Sequence, residues 1–180
     1  MRELAWAYAD DPQRAPPPEP PLPPTKPYGV IIDRRPDALA GREVPNHDEV
    51  VTALRASSTT GHLAWVSFVG TKASVADAVR LFRGASVIVG PHGAGFFHLC
   101  WCRPGTPVVE MGYSGDLDRN SGHPLPSTYY GVAIALGLPY SLVIGAGDLF
   151  GSITPAPADV VATVGAALAR SAAEAAAVVA

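Results

Sequence analysis

The chain has 180 residues, 48% of them hydrophobic and 16% charged, which is enough apolar material for one domain of ordinary size with a buried core. Its formal net charge of −3, from 13 Lys+Arg against 16 Asp+Glu, offers no basic surface of the kind that neutralises a phosphate backbone, which argues against nucleic acid as a partner. No apolar run approaches about 18 uninterrupted residues, and Met1-Arg2-Glu3-Leu4 lacks the basic-then-apolar order of a signal peptide, so the sequence predicts neither a membrane span nor a targeting signal.

Nine of the 19 prolines lie between Pro12 and Pro27, and residues 1–27 read as a Pro-rich disordered leader with no core of its own. The tract Pro20-Pro21-Leu22-Pro23-Pro24 reads as a linker or as a ligand for an aromatic-lined groove. From Tyr28 the texture changes to short apolar runs alternating with segments of helical period, the pattern of parallel strands joined by crossover helices. Strands are predicted at Tyr28–Asp33, His62–Val69, Ser86–Val89, Pro107–Met111 and Tyr140–Ile144. Between them, Asn46 with Glu49 three positions on opens a helix over 47–56, and Ser74 caps one over 74–82 with Val75, Val79 and Phe82 on one face. Phe96–Trp101 reads as a buried helix, Gly112–Ser127 as a long polar loop, and Thr128–Leu136 as a helix closed by Gly137. Residues 156–180, with 12 alanines and Val160, Val164 and Leu168 at helical spacing, form a C-terminal helix against the sheet. The expected fold is α/β: an open, mostly parallel sheet of about five strands with flanking helices, covering residues 28–155 and followed by that helix.

In such a sheet ligands bind outside the carboxyl ends of the strands, where Gly90-Pro91-His92-Gly93-Ala94-Gly95 lies. Gly93 and Gly95 let backbone turn sharply and a ligand approach, and the free N–H groups of a helix start favour an anion such as a diphosphate. His92 adds an imidazole able to donate to a phosphate or sugar oxygen. The same residues also suffice for a bare strand-to-helix turn with His92 as its cap, and spacing does not separate the two readings. Glu110, at the end of an apolar strand, stands where it would meet ribose or sugar hydroxyls. His98, Cys100 and Cys102 do not converge as metal ligands, because residues two apart on a helix diverge; buried thiols are expected, and no metal. His47, His62 and His123 read as surface or loop histidines.

The segment Ala85-Ser86-Val87-Ile88-Val89-Gly90-Pro91-His92-Gly93-Ala94-Gly95, followed by Arg103-Pro104-Gly105-Thr106-Pro107-Val108-Val109-Glu110-Met111, resembles the signature of glycosyltransferase family 61. Asp33-Arg34-Arg35, Arg42, Asn46 and Glu49 upstream, and Tyr129-Tyr130 and Ala135-Leu136-Gly137 downstream, are similar to the family as well, over roughly 28 to 145. The resemblance implies the Rossmann-like C-terminal half of a GT-B enzyme, which inverts the anomeric carbon of a nucleotide sugar, a UDP-sugar by expectation, and needs no metal cofactor if arginines and a helix start stabilise the leaving group. Carried over, His92, Gly93, Ala94 and Gly95 would line the sugar diphosphate, with His98 matching a family variant. Arg34, Arg35 and Arg42 would offer the planar, always-charged guanidinium that suits a diphosphate. Asn46 and Glu49 would contact the donor or serve only as a helix cap. His92 is the local candidate for the catalytic base, a group that the acceptor-binding N-terminal half, fused or supplied in trans, would otherwise provide. Xylose, arabinose or N-acetylglucosamine would pass to a glycan or glycoprotein acceptor in the endoplasmic reticulum or Golgi lumen, and this chain alone would be weak or inactive. Phe97 departs from the family, which has a small hydroxyl residue there, and favours the rival reading of a non-catalytic nucleotide-binding or interaction module.

Overall fold

Strands that are apolar along their whole length have to be covered on both faces, and the chain does this by sending helices to both sides of one sheet. The computed structural model describes residues 2–11, 26–34, 43–70, 73–113, 128–147 and 151–179. Its elements are α1 (Arg2–Asp10), β1 (Tyr28–Ile32), α2 (His47–Ala56), β2 (Ala64–Phe68), α3 (Val75–Gly84), β3 (Val87–Pro91), a 3-10 helix (Ala94–Trp101), β4 (Val108–Tyr113), α4 (Thr128–Leu136), β5 (Tyr140–Gly147), β6 (Ile153–Thr154) and α5 (Pro157–Val179). Among the described residues the strands form one sheet in the order β2-β1-β3-β4-β5-β6, parallel except for the antiparallel β6. This is the Rossmann-like α/β fold that the sequence predicts, with one short strand, β6, added.

Period-two alternation divides the core. On one face Ile31, Val87, Val89, Val109 and Met111 pack against Val50 and Leu54 of α2 and Val160 and Val164 of α5. On the other, Val30, Ile32, Ile88 and Val108 meet Phe82 of α3, Phe96 and Leu99 of the 3-10 helix and Tyr129 of α4. Buried Phe96, Leu99 and Cys102 are three apart, the eclipsed spacing of a 3-10 helix, which explains why the expected buried helix takes that form. In α3, Ser74 accepts from the Asp77 amide as predicted, whereas Val75 is 69% exposed and leaves the apolar face to Ala78, Val79, Leu81 and Phe82.

One expectation needs correction. Residues 2–10 of the Pro-rich leader are helical: α1 buries Ala9 beside Ala76 and Val79, while Trp6 Nε1 donates to the Trp101 carbonyl at 3.0 Å and Arg2 Nε to that of Cys100 at 3.2 Å. These bonds satisfy carbonyls at the end of the 3-10 helix, where no further turn can do so. Arg83 grips the Asp10 carboxylate with two bonds of 2.6 and 2.9 Å, and Arg80 Nε donates to the Ala9 carbonyl at 2.6 Å. Pro157–Ala177 of α5 is long and apolar enough to cross a bilayer by length and composition, a test that core helices of globular domains also pass. Its Val160, Val164 and Ala167 are nonetheless buried in the sheet's core. The rest of the Pro-rich leader from Pro12 to Thr25, Arg35 and Arg42, and the predicted loop beyond Tyr113 with His123 lie outside the described residues.

Phe82 is fully buried, with its ring edge-on to Phe68 at 5.0 Å. Phe82→Ala should lower the unfolding free energy by about 3–5 kcal/mol in a denaturant titration with unchanged slope. Val75→Ala should move it by about 0.5 kcal/mol or less.

Candidate functional site

The winding of the sheet reverses between β1 and β3: from β1 the chain steps outward to β2, and from β3 it steps the other way to β4 and β5. The carboxyl ends of two such strands leave a crevice that their crossovers cannot fill, the ligand position of open α/β sheets. Asp33 and Arg34 follow β1 there, and His92 and Gly93 follow β3. Arg34 Nη1 donates to the His92 carbonyl at 3.4 Å, so the arginine and the glycine-rich turn predicted to share a ligand are joined directly.

Gly93 adopts φ 143°, ψ −173°, a conformation essentially confined to glycine, and directs the chain from β3 into the 3-10 helix. Gly95 serves packing instead: a Cβ there would stand 2.7 Å from Cγ2 of Ile32, so its absence lets the helix lie close on β1. Gly93 is conformational, Gly95 steric, and the helix start they create lies beside a guanidinium.

His92 and Glu110 meet because of register. β3 and β4 pair with Gly90 opposite Glu110, so His92, two residues further along, projects from the same face as a diagonal neighbour. Its Nδ1 is hydrogen-bonded to Oε1 of Glu110, and the Tyr140 hydroxyl donates to Oε2 at 2.6 Å. Glu110 is fully buried, with both oxygens engaged by protein partners. Contact with ribose or sugar hydroxyls is opposed by that burial, which leaves the carboxylate no exposed surface. Burial, reinforced by the Glu110 charge, holds the Tyr140 phenol well above its ordinary value of 10.0. The rings of Tyr113 at 5.9 Å and Tyr129 at 5.3 Å stand edge-on to the His92 imidazole.

Other predicted residues are not brought to this crevice. Asn46 occupies the N-cap position of α2 but makes no side-chain cap; its Nδ2 donates to the Pro155 carbonyl at 2.8 Å, tying α2 to the approach of α5, while Oδ1 is buried without a partner among the described residues. Glu49 is exposed, so the expected capping box does not form. His98 packs its ring against Phe68 at 4.9 Å and Phe82 at 5.2 Å, and burial pulls its imidazole below the ordinary 6.5. Phe97, 65% exposed, rests on the Tyr129 ring at 5.9 Å. Cys102 is a buried thiol pushed up to about 12 by desolvation, and Cys100 is half-buried.

On the far flank of Arg34 lies a cavity of about 140 Å³ lined by Asp33, Arg34, Glu43, Val44, Pro45, His47 and Asp48. His47, expected at the surface, has a side chain only 12% exposed, with Nδ1 4.0 Å from Asp33 Oδ1. His62 is exposed as predicted. Tyr140 was not singled out by sequence. The available signal was a lone carboxylate in phase with His92 along two adjacent parallel strands, which demands a buried partner.

A doubly wound α/β sheet with a glycine-turn helix start, an arginine and a histidine at its switch point has the architecture of a domain that takes a ligand at its strand ends. The sequence is more specific. The family pattern of Glycosyltransferase 61 matches residues 7–109, more than half of the chain, and the chain belongs to that family. The match begins inside α1 and ends at Val109, a different span from the 28–145 judged by motif. The chain is also 34% identical over 99 residues to a beta-1,2-xylosyltransferase of Arabidopsis thaliana, an alignment covering 47% of this chain and 18% of that relative. It therefore spans less than a fifth of the relative's length.

Because burial disfavours the His98 imidazolium, the unfolded chain takes up that proton more readily than the folded one. The His98 contribution to stability is present above the unfolded value near 6.5 and is lost as pH falls below it toward the depressed folded value. Chemical denaturation across this range should show a steeper acid decline for the native sequence than for His98→Phe; parallel declines would refute the assignment.

Proposed function

We propose that this chain is the donor-binding half of an inverting, nucleotide-sugar-dependent glycosyltransferase of the GT-B type. The observation that carries the reading is the hydrogen bond from Arg34 to the His92 carbonyl at the switch point. It sets a permanent positive charge against the Gly93 turn and the amides that open the 3-10 helix. A diphosphate there would meet a guanidinium and backbone donors together, and both gain strength as the anomeric carbon–oxygen bond breaks and negative charge collects on the leaving nucleotide. That stabilisation acts chiefly in the transition state, which is what raises a rate rather than mere affinity.

The donor is a UDP-sugar, and xylose is the sugar named by the Arabidopsis relative, with arabinose and N-acetylglucosamine as the other sugars the family resemblance suggests. A glycan or glycoprotein acceptor, in the lumen of the endoplasmic reticulum or Golgi, would be held by a further half in the remaining length that the relative possesses. The cavity beside Arg34, lined by Asp33, Glu43 and Asp48, is rich in carboxylates that suit hydroxyl groups of the donor. The rival reading of a non-catalytic module drew on Phe97 as a bulky side chain where the family has a small hydroxyl residue. Phe97 is 65% exposed and its ring rests on Tyr129, which also touches His92.

Thermal unfolding with UDP and UDP-xylose tests the reading. A ligand at about 100 times its dissociation constant should add about 2.7 kcal/mol, and Arg34→Ala should remove most of the gain. No shift with any nucleotide at millimolar concentration, or an undiminished shift in Arg34→Ala, would sink it. Sugar transfer by this chain alone should be slight; robust transfer would show that no further half is required.

A further inference from the structure

We infer that Tyr140, Glu110 and His92 form a buried relay that fixes His92 with Nε2 as a proton acceptor, so that His92 is the general base toward the sugar acceptor and Tyr140 and Glu110 are its positioning residues. The inference deepens the reading above and rests on it for the identity of the reaction, but the relay itself stands on its own geometry.

Glu110 lies within an apolar strand, fully buried, at a position where an aliphatic side chain would pack without the desolvation cost of a carboxylate. Its two oxygens are divided between two partners. The Tyr140 hydroxyl, held in its protonated form by burial and by the Glu110 charge, donates to Oε2. An ionised carboxylate can only accept, which would make the imidazole the donor of the bond between His92 Nδ1 and Glu110 Oε1. With the Nδ1 proton committed, a neutral His92 carries its lone pair on Nε2. The edges of Tyr113 and Tyr129 hold the ring plane, and Arg34 holds the backbone carbonyl of the same residue.

This arrangement divides labour at the crevice. A lone pair on Nε2 does not donate to a phosphate oxygen, so the diphosphate falls to Arg34 and the backbone amides. In transfer, the acceptor hydroxyl proton passes to Nε2 while its oxygen bonds to the anomeric carbon. The bond from that carbon to the diphosphate breaks with its electron pair leaving on the nucleotide. The imidazolium so formed is stabilised by Glu110 and later returns its proton to solvent.

The test is the ring tautomer of His92 in the full chain, read by long-range proton–nitrogen correlation of nitrogen-15-labelled histidine at neutral pH, with His92→Gln identifying the signal. The expected form is protonated at Nδ1 and bare at Nε2. In the double variant Glu110→Met/Tyr140→Phe, which replaces both polar partners by apolar groups and leaves neither orphaned, the majority form should switch to that of free histidine, protonated at Nε2. Tyr140→Phe alone, which removes one hydroxyl, should give a mixture of the two forms. A native ring protonated at Nε2, or at both nitrogens, would overturn the assignment, as would a tautomer unmoved in the double variant; an unmoved tautomer in Tyr140→Phe would remove Tyr140 from the relay. UDP-induced stabilisation, measured in parallel, should survive in the double variant. Its absence from the native chain defeats the donor-site reading while leaving the tautomer result intact, so the two failures are separable.

Discussion

The arrangement of this molecule follows from a constraint on parallel sheets: each strand-to-strand crossover must cover a face, and where the winding reverses, between β1 and β3, no crossover closes the strand ends. Several of the polar residues singled out by sequence collect at that opening. Asp33 and Arg34 arrive on one strand, His92 and Gly93 on the next, and Glu110 lies one strand further across. The residues are far apart in sequence and adjacent in space because the topology leaves them no other common edge.

Much of the fold was legible because its signals are local. Apolar runs bounded by Gly and Pro mark β1, β3 and β4, the Ser74 cap marks α3, and Gly137, at φ 69°, closes α4 where expected. What escaped sequence reading depends on tertiary contact. Prolines 12 to 27 hid α1, whose helix is held by the carbonyls of Cys100 and Trp101 and by Arg80 and Arg83. The short β6 exists because Ile153 and Thr154 find the end of β5, a pairing that two residues do not announce.

The site divides along the same line. Arg34, His92 and Gly93 could be singled out because motif and strand end coincide, and the fold brings them together. Asn46 and Glu49 have the spacing of a capping box, yet the Asn46 amide is drawn to Pro155, a partner more than a hundred residues away that no local pattern encodes. His98 lies close to His92 in sequence but turns into the Phe68–Phe82 aromatic cluster, because the 3-10 helix advances faster per residue than an α-helix. Glu110 was visible as an anomaly in an apolar strand. Its meaning, a partner for His92 and Tyr140, required the β3–β4 register.

The docking of α1 alters where this unit can be said to start. Composition draws a border at Tyr28, after the prolines, but the helix on the far side of that border braces the rear of the 3-10 helix whose front is the Gly93 turn. The helix whose start forms one wall of the crevice is thus hydrogen-bonded at its other end to residues more than ninety positions upstream. A version shortened to begin at β1 would retain every residue of the crevice and lose the strut that holds one wall of it in place.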